Sequence, residues 1–277
     1  MDTSLQRPTQ SWSRYDKISA QYDRSRPGYP AEAVQLILDR AASVRTRKPI
    51  IIDVGSGTGI FTRMLASTVE DTEVIGVEPN EAMISRARQT ASTGKIVYHS
   101  APAECLPFLD SSIALISAAG SAQLFDRKTF YLEARRVLVD TGCLAIIQNK
   151  RDLQSSGLLR AFETFMEARV TGYRTGRFAD NGGGHSAAPF ADELRQCNVL
   201  QFDGANVIPW DRVFTEDTFV DFAFSTIQLQ MAAESFGRDV IETELRELVA
   251  EVADTDGQLR AAYRTEITWA SKPHSLG

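Results

Sequence analysis

Ile50-Ile51-Ile52-Asp53-Val54-Gly55-Ser56-Gly57-Thr58-Gly59-Ile60-Phe61-Thr62 is the stretch whose reading decides the fold. An apolar run ends on an acid and then crosses three alternating glycines into a helical pattern. This reads as a buried parallel strand, a ligand-cradling turn and a helix N-terminus. Glycine has no Cβ, so a ligand can approach its main chain closely, and a helix start offers unpaired N–H groups with positive partial charge. A nucleotide-type cofactor suits such a turn. A pyrophosphate-binding turn wants G-x-G-x-x-G/A, whereas here the third position after Gly57 is Ile60 and the last glycine comes one place early at Gly59. The dinucleotide reading is weakened accordingly.

The pattern D-x-G-x-G-x-G of residues 53–59 resembles motif I of class I S-adenosylmethionine-dependent methyltransferases. Further segments follow in the order this resemblance requires. Val74-Ile75-Gly76-Val77-Glu78-Pro79 is a second apolar run ending in a carboxylate, roughly 20 residues past the turn. Glu78 can accept hydrogen bonds from both ribose hydroxyls, although a nicotinamide enzyme would use such an acid equally well. In the family the equivalent of Met83 packs against the adenine. Ser100-Ala101-Pro102-Ala103-Glu104-Cys105-Leu106-Pro107-Phe108 resembles the G-x-A-x-x-L-P-F segment of small-molecule methyltransferases, whose Ala-Glu pair meets the adenine ring. A buried strand over residues 113–119 precedes a helix containing Ala134-Arg135-Arg136-Val137-Leu138, the turn Asp140-Thr141-Gly142 and the strand Cys143-Leu144-Ala145-Ile146-Ile147. These look like the family's fourth strand, the "RVL-x-x-G-G" helix end and the fifth strand, with Cys143 in place of the second glycine.

Upstream, residues 15–30 resemble the "YD-x-x-RPGYP" segment of the trans-aconitate methyltransferase-like branch, in the methyltransferase type 11/25 group. The resemblance spans about residues 12–150, with an echo in Tyr263-Arg264-Thr265-Glu266-Ile267-Thr268-Trp269. It implies a Rossmann-like α/β fold with a seven-stranded, mostly parallel sheet in the order 3-2-1-4-5-7-6, its last strand antiparallel. It implies S-adenosyl-L-methionine as cofactor, S-adenosyl-L-homocysteine as product and no metal. The implied cofactor residues are Tyr22, Arg26, Asp53, Gly55, Ser56, Gly57, Gly59, Glu78, Pro79, Met83, Ala103, Glu104, Ser117 and Gln123. Tyr15 or Tyr22 would cover the sulfonium and Arg26 would hold the methionine carboxylate.

Periodicity organises the rest. Residues 11–24 read as a short helix, Pro30 starts a helix over residues 31–42, and strands and helices alternate from 50 to 149. Ligands of such sheets bind outside the carboxyl ends of the strands, where Asp53, Glu78, Ala103 and Ser117 fall. Residues 1–30 are expected to cover the cofactor and 31–150 to bind it. Residues 151–255 are expected to form cap insertions, 151–198 and 215–255, around core strands at 199–202 and 207–213; residues 256–277 would hold the last strand and a tail. Thr215 caps a helix of the second insertion that runs through Asp221, and residues 241–252 form another.

The formal net charge of −6, with Arg45-Thr46-Arg47-Lys48 as the longest basic cluster, argues against a nucleic-acid partner. Ser117-Ala118-Ala119-Gly120 also lacks the acceptor-amine motif that nucleic-acid methylating enzymes carry after the fourth strand. No apolar run of ~18 residues is present and residues 1–10 are polar, so the expectation is a cytoplasmic protein without membrane contact, monomeric or homodimeric. Cys105, Cys143 and Cys197 have no metal spacing and read as reduced thiols.

A sulfonium donor is intrinsically activated, so alignment and water exclusion carry the reaction and no universal base is required. Of the three histidines, His99 reads as structural, His274 as tail, and His185, in the Gly-rich loop of residues 171–189, as a candidate base. Gln123 stands where this branch often carries a His-Trp pair, which shifts the expectation toward an acceptor that needs no deprotonation. His185, Gln123 and Tyr22 are the catalytic candidates. Gln123, Asn149, Arg151, Tyr173 and Arg174 are the substrate-binding candidates, the cations forming a positive rim for an anionic acceptor. The expected function is methyl transfer to a small organic molecule at the oxygen of a carboxylate or hydroxyl. The rivals are a nicotinamide-dependent oxidoreductase and an inactive cofactor-binding partner protein.

Overall fold

The computed structural model describes residues 23, 25–46, 48–69, 72–91, 96–175, 188–253 and 256–273. Tyr15, Tyr22, His185 and His274, and nearly all of the expected helix over residues 11–24, lie outside the described residues.

The run of isoleucines forms the central strand β1, Ile50–Val54. It pairs in parallel with β2, Glu73–Val77, on one side and β4, Ile113–Ala119, on the other. Strand β3, Val97–His99, lies outside β2, and β5, Leu138–Arg151, lies beside β4. Beyond β5 the direction reverses: β7, Leu259–Ser271, is antiparallel to β5, and β6, Gln201–Phe214, is antiparallel to β7 at the edge. The order is β3-β2-β1-β4-β5-β7-β6, as expected.

Both faces of the central strands are apolar because helices cover both. Ile51 and Leu115 join one face with Ala33, Ile37, Phe61 and Leu65, from helices α1, Ala31–Ala42, and α2, Ile60–Thr68. Ile52 and Ile116 join the other with Phe130 and Ala134 of α4, Arg127–Val137. Helix α3, Glu81–Thr90, packs its Ile84 and Ala87 against Tyr98 of β3.

Two strands differ from expectation. Residues 140–142 do not separate helix from strand: β5 already pairs at Leu138 with Ile113 and resumes at Cys143 with Leu115, the surplus residues forming an irregularity inside it. A side chain at Gly142 would meet the Ala114 carbonyl oxygen at 2.9 Å, so glycine is needed there for close backbone approach rather than for a turn. The two short strands expected at 199–202 and 207–213 are one, β6, shifted in register between Phe202 and Gly204. Continuous pairing with β7 overrides the local break signal of Asp203-Gly204, and the edge position tolerates Pro209.

Helices α5, Gly157–Arg169, α7, Glu216–Phe224, α8, Ile227–Phe236, and α9, Arg238–Val252, share a second core. Leu158, Phe162, Phe219, Phe222 and Leu245 pack there around Phe214 and Tyr263 from the ends of β6 and β7. Helix α8 was not anticipated, and α7 runs on to Phe224. Helix α6, Phe190–Arg195, corrects the expected 151–198 insertion. Its Phe190 and Leu194 join the sheet core beside Phe130, and Arg127 of α4 donates through Nε and Nη2 to both oxygens of Glu193 at 2.7 and 2.8 Å.

Candidate functional site

The turn after β1 is held by packing on two sides and is open on the third. A side chain at Gly55 would meet Ser121 Cβ at 2.5 Å, and one at Gly59, the residue preceding α2, would meet Tyr98 Oη at 2.3 Å. One at Gly57, where φ is +54°, would meet nothing within 4 Å. Open space at a left-handed glycine beside a helix N-terminus is what a bound ligand would require. Ser56 Oγ and Thr58 Oγ1, on either side of Gly57, are buried and have no hydrogen-bond partner among the described residues.

Glu78 follows β2 and is buried, 4% exposed. Its Oε2 accepts from the Gly57 N–H at 2.9 Å and its Oε1 from the Asn80 N–H at 3.0 Å, leaving a further lone pair on each oxygen. Burial raises its carboxyl above the usual carboxylate range, against the pull of these two bonds. Asn80 Oδ1 caps α3 by accepting from the N–H of Met83, which is buried. Pro79 lies between Glu78 and Asn80.

Asp53 and Ser117 are placed differently. Thr62 Oγ1 of α2 donates to Asp53 Oδ2 at 2.7 Å, and Ser117 Oγ of β4 donates to Oδ1 at 3.0 Å. Ser117 is fully buried, so it braces Asp53 from inside the sheet rather than facing the open space. Burial pushes the Asp53 carboxyl up to about 6, opposed by the bonds from Thr62 and Ser117.

Ala103 is buried, and Glu104 Oε1 accepts from the Asp126 N–H at 2.7 Å, tying the loop after β3 to the start of α4. Gln123, in the 3₁₀ turn Ala122–Leu124, donates from Nε2 to the Gly120 carbonyl at 2.7 Å. Its Oε1 is buried with no partner among the described residues.

Asp23 and residues 25–30 lie along the carboxyl edge of the sheet as a strap. At one end Asp23 accepts from Arg63 Nη2 at 2.6 Å and from Arg86 Nη2 at 3.5 Å. Arg63 also donates to the Thr58 carbonyl at 2.6 Å and to Thr90 Oγ1 at 2.7 Å, joining the glycine turn, α3 and the strap. Two residues on from Asp23, Arg212 Nη1 donates to the Ser25 carbonyl at 2.9 Å, and further along Asn149 Nδ2 donates to the Gly28 carbonyl at 2.9 Å. Sequence reasoning missed Asp23, Arg63 and Arg212. One signal was available: Arg63 puts a cation near the N-terminus of α2, where the helix dipole disfavours it unless something else engages it.

The expected positive rim is not a single feature. Arg151, at the end of β5, forms an ion pair with Glu163 of α5, whose other oxygen accepts from Tyr173 Oη at 2.6 Å. A cation held between sheet and cap needs such a partner, so the charge of Arg151 is neutralised within the structure. Asn149 Oδ1 accepts from Thr265 Oγ1 at 2.6 Å. Arg174 is exposed and donates to the carbonyl of Tyr173. The structure therefore joins Arg151 to Tyr173 through Glu163, ties Asn149 to the strap, and leaves Arg174 outside both groups.

Residues 51–142 match the methyltransferase domain family. The match runs from β1 through the glycine turn to the start of β5, so it covers the open space beside Gly57. Over 161 residues the chain is 30% identical to a Dictyostelium discoideum protein assigned as a methyltransferase, a match covering 56% of this chain and 58% of that one. It is 32% identical over 131 residues to an uncharacterised methyltransferase of Mycobacterium tuberculosis, covering 47% and 50% of the two. The chain thus spans about half the length of these curated relatives. A solved structure from Anaeromyxobacter dehalogenans, assigned as a type II methyltransferase, aligns with a TM-score of 0.66 over 90% of this chain and 99% of that one at 20% identity. That likeness establishes the class I methyltransferase fold. Among the described residues no helix is long and apolar enough to cross a membrane, and no group of three or more His, Cys, Asp and Glu could hold a metal ion.

Proposed function

We propose that this chain transfers a methyl group from S-adenosylmethionine to the oxygen of a carboxylate or hydroxyl on a small organic molecule. The observation that carries the reading is the open face of Gly57 beside the buried carboxylate of Glu78. The residues present fit an adenosyl group. Glu78 keeps lone pairs for two ribose hydroxyls, Met83 and Ala103 offer apolar surface, and Ser56 and Thr58 bring unpaired polar atoms to the turn. Gly55, Gly59, Pro79 and Glu104 shape this pocket, with Asp53 and Ser117 bracing it from within. Arg26, in the strap, is the partner assigned to the methionine carboxylate.

When bound, the cofactor supplies an activated methyl on a sulfonium. The chain then has to orient the acceptor and exclude water, and alignment of this kind supplies ~7–11 kcal/mol of barrier reduction. The strap and the helical cap close the carboxyl edge. Gln123 Oε1 is a hydrogen-bond acceptor in want of a donor, which suits an acceptor hydroxyl or the cofactor's ammonium.

Isothermal calorimetry with S-adenosylhomocysteine and with NAD tests the reading. S-adenosylhomocysteine is expected to bind and NAD not to; preferential binding of NAD would return the site to the oxidoreductase alternative.

A further inference from the structure

Four residues share one face at the carboxyl edge of the sheet. Tyr263 of β7 stands directly between Arg151 of β5 and Trp210 of β6, and Arg212 lies two residues beyond Trp210. Opposed residues of antiparallel strands, and residues two apart on one strand, point to the same side. Tyr263 stacks on Trp210 with ring centroids 5.1 Å apart, and it is 3% exposed. Its hydroxyl has no hydrogen-bond partner among the described residues. Leaving such a group desolvated and unpaired is costly, so a donor of this kind is normally met by something.

The cation beside it is also incomplete. Arg212 donates one bond, from Nη1 to the Ser25 carbonyl, and no carboxylate pairs with it among the described residues. Its guanidinium lies 4.2 Å from the Phe214 ring centroid and 5.9 Å from that of Phe222. Burial works against its charge, in contrast to Arg151, where the charge of Glu163 counters the burial. Both guanidinium groups approach the same Phe222 ring, Arg151 at 5.8 Å, so the paired and the unpaired cation flank one spot. The Nε and Nη2 edge of Arg212 makes no hydrogen bond among the described residues, and that planar fork matches a carboxylate.

We propose that Arg212 and Tyr263 form an anion-binding subsite that takes the carboxylate of a small organic acid, the guanidinium fork and the phenol hydroxyl donating to its two oxygens. The subsite lies beside Ser25 of the strap, where β6 and β7 meet helices α5 and α7. Naming the bound acid as the methyl acceptor rests on the function proposed above; the anion site itself does not.

The test is thermal unfolding of the full chain with a panel of monocarboxylates from acetate to 3-phenylpropionate, each beside its primary amide and beside inorganic phosphate, with and without S-adenosylhomocysteine. At least one acid is expected to raise Tm saturably where its amide does not. Arg212→Gln should raise the half-saturating concentration of that acid by ~10-fold or more, and Tyr263→Phe by several-fold. If no acid stabilises the wild type more than its amide, if phosphate does so as well as every acid, or if a folded Arg212→Gln variant responds like the wild type, the subsite is refuted. Tyr263→Phe removes one oxygen from a stacked ring and keeps the test decisive should Arg212→Gln not fold; an unchanged response in it removes Tyr263 from the site. Acid binding through Arg212 without S-adenosylhomocysteine binding would leave the subsite standing and refute the methyltransferase reading.

Discussion

The N–H of Gly57 donates to Oε2 of Glu78 across 2.9 Å, so the glycine turn after β1 and the acid after β2 form one structural unit. Glu78 therefore has two tasks, closing the turn and facing what the turn holds. Glu78→Gln keeps an acceptor oxygen but loses the charge, whereas Glu78→Ala loses both. Glu78→Ala is expected to weaken S-adenosylhomocysteine binding by about 1.5–3 kcal/mol, the range for hydrogen bonds to a charged group, with Glu78→Gln between it and the wild type. Calorimetry measures both, and equal affinity in all three proteins would place the ribose elsewhere.

Gly57 and Gly172 offer a matched comparison. Both have positive φ, +54° and +79°, and a side chain at either would meet nothing within 4 Å. An alanine at either position carries left-handed strain of roughly 1–2 kcal/mol. Gly57→Ala and Gly172→Ala should lose similar stability in denaturant titrations, but only Gly57→Ala should lose cofactor affinity. Loss of affinity in both would mean that strain, not intrusion into the ligand space, is responsible.

Asp53 makes stability depend on pH. Its folded pKa of about 6 lies above the ordinary 3.8, so the native state holds the proton more tightly than the unfolded chain. The stabilisation is complete below pH 3.8 and is lost as pH rises to about 6. The loss is on the order of 3 kcal/mol, at roughly 1.4 kcal/mol per pKa unit. Asp53→Asn should flatten this part of the stability profile in chemical denaturation between pH 4 and 7, and an unchanged slope would assign it to other groups.

Arg63 ties Asp23 of the strap to the glycine turn and to α3. Arg63→Ala removes bonds to Asp23, the Thr58 carbonyl and Thr90 together. Hydrogen exchange of residues 25–29 should accelerate, and S-adenosylhomocysteine affinity should fall by at least ~10-fold. Exchange that does not respond would show that Asn149 and Arg212 alone keep the strap in place.

Phe219 lies in the core shared by α5, α7, α8 and α9. It is fully buried, with ring centroids 5.3 Å from Phe162 and 5.4 Å from Phe214. Phe219→Ala should destabilise the chain by about 3–5 kcal/mol. Protein that remains folded should bind S-adenosylhomocysteine as the wild type does; a parallel loss of affinity would couple the cap core to the glycine turn.

What the sequence determined by itself was local and periodic. The isoleucine run, the alternating glycines and the acid after β2 state their roles within a few residues, because strand burial, positive φ and helix starts are short-range requirements. The sheet order followed once the resemblance was seen. Tertiary structure decided everything that depends on partners far apart in the chain. Pairing along β7 merged two expected strands into β6, and sheet contact drew α6 away from the cap. Ser117 turned inward because Asp53, 64 residues earlier, needs a donor in the interior. Glu163 on α5 neutralised Arg151, while Arg212, in a strand that drew no attention as a site, meets no carboxylate among the described residues. Which arginine finds a carboxylate is a matter of what each one meets after folding, and no spacing rule in the chain encodes it.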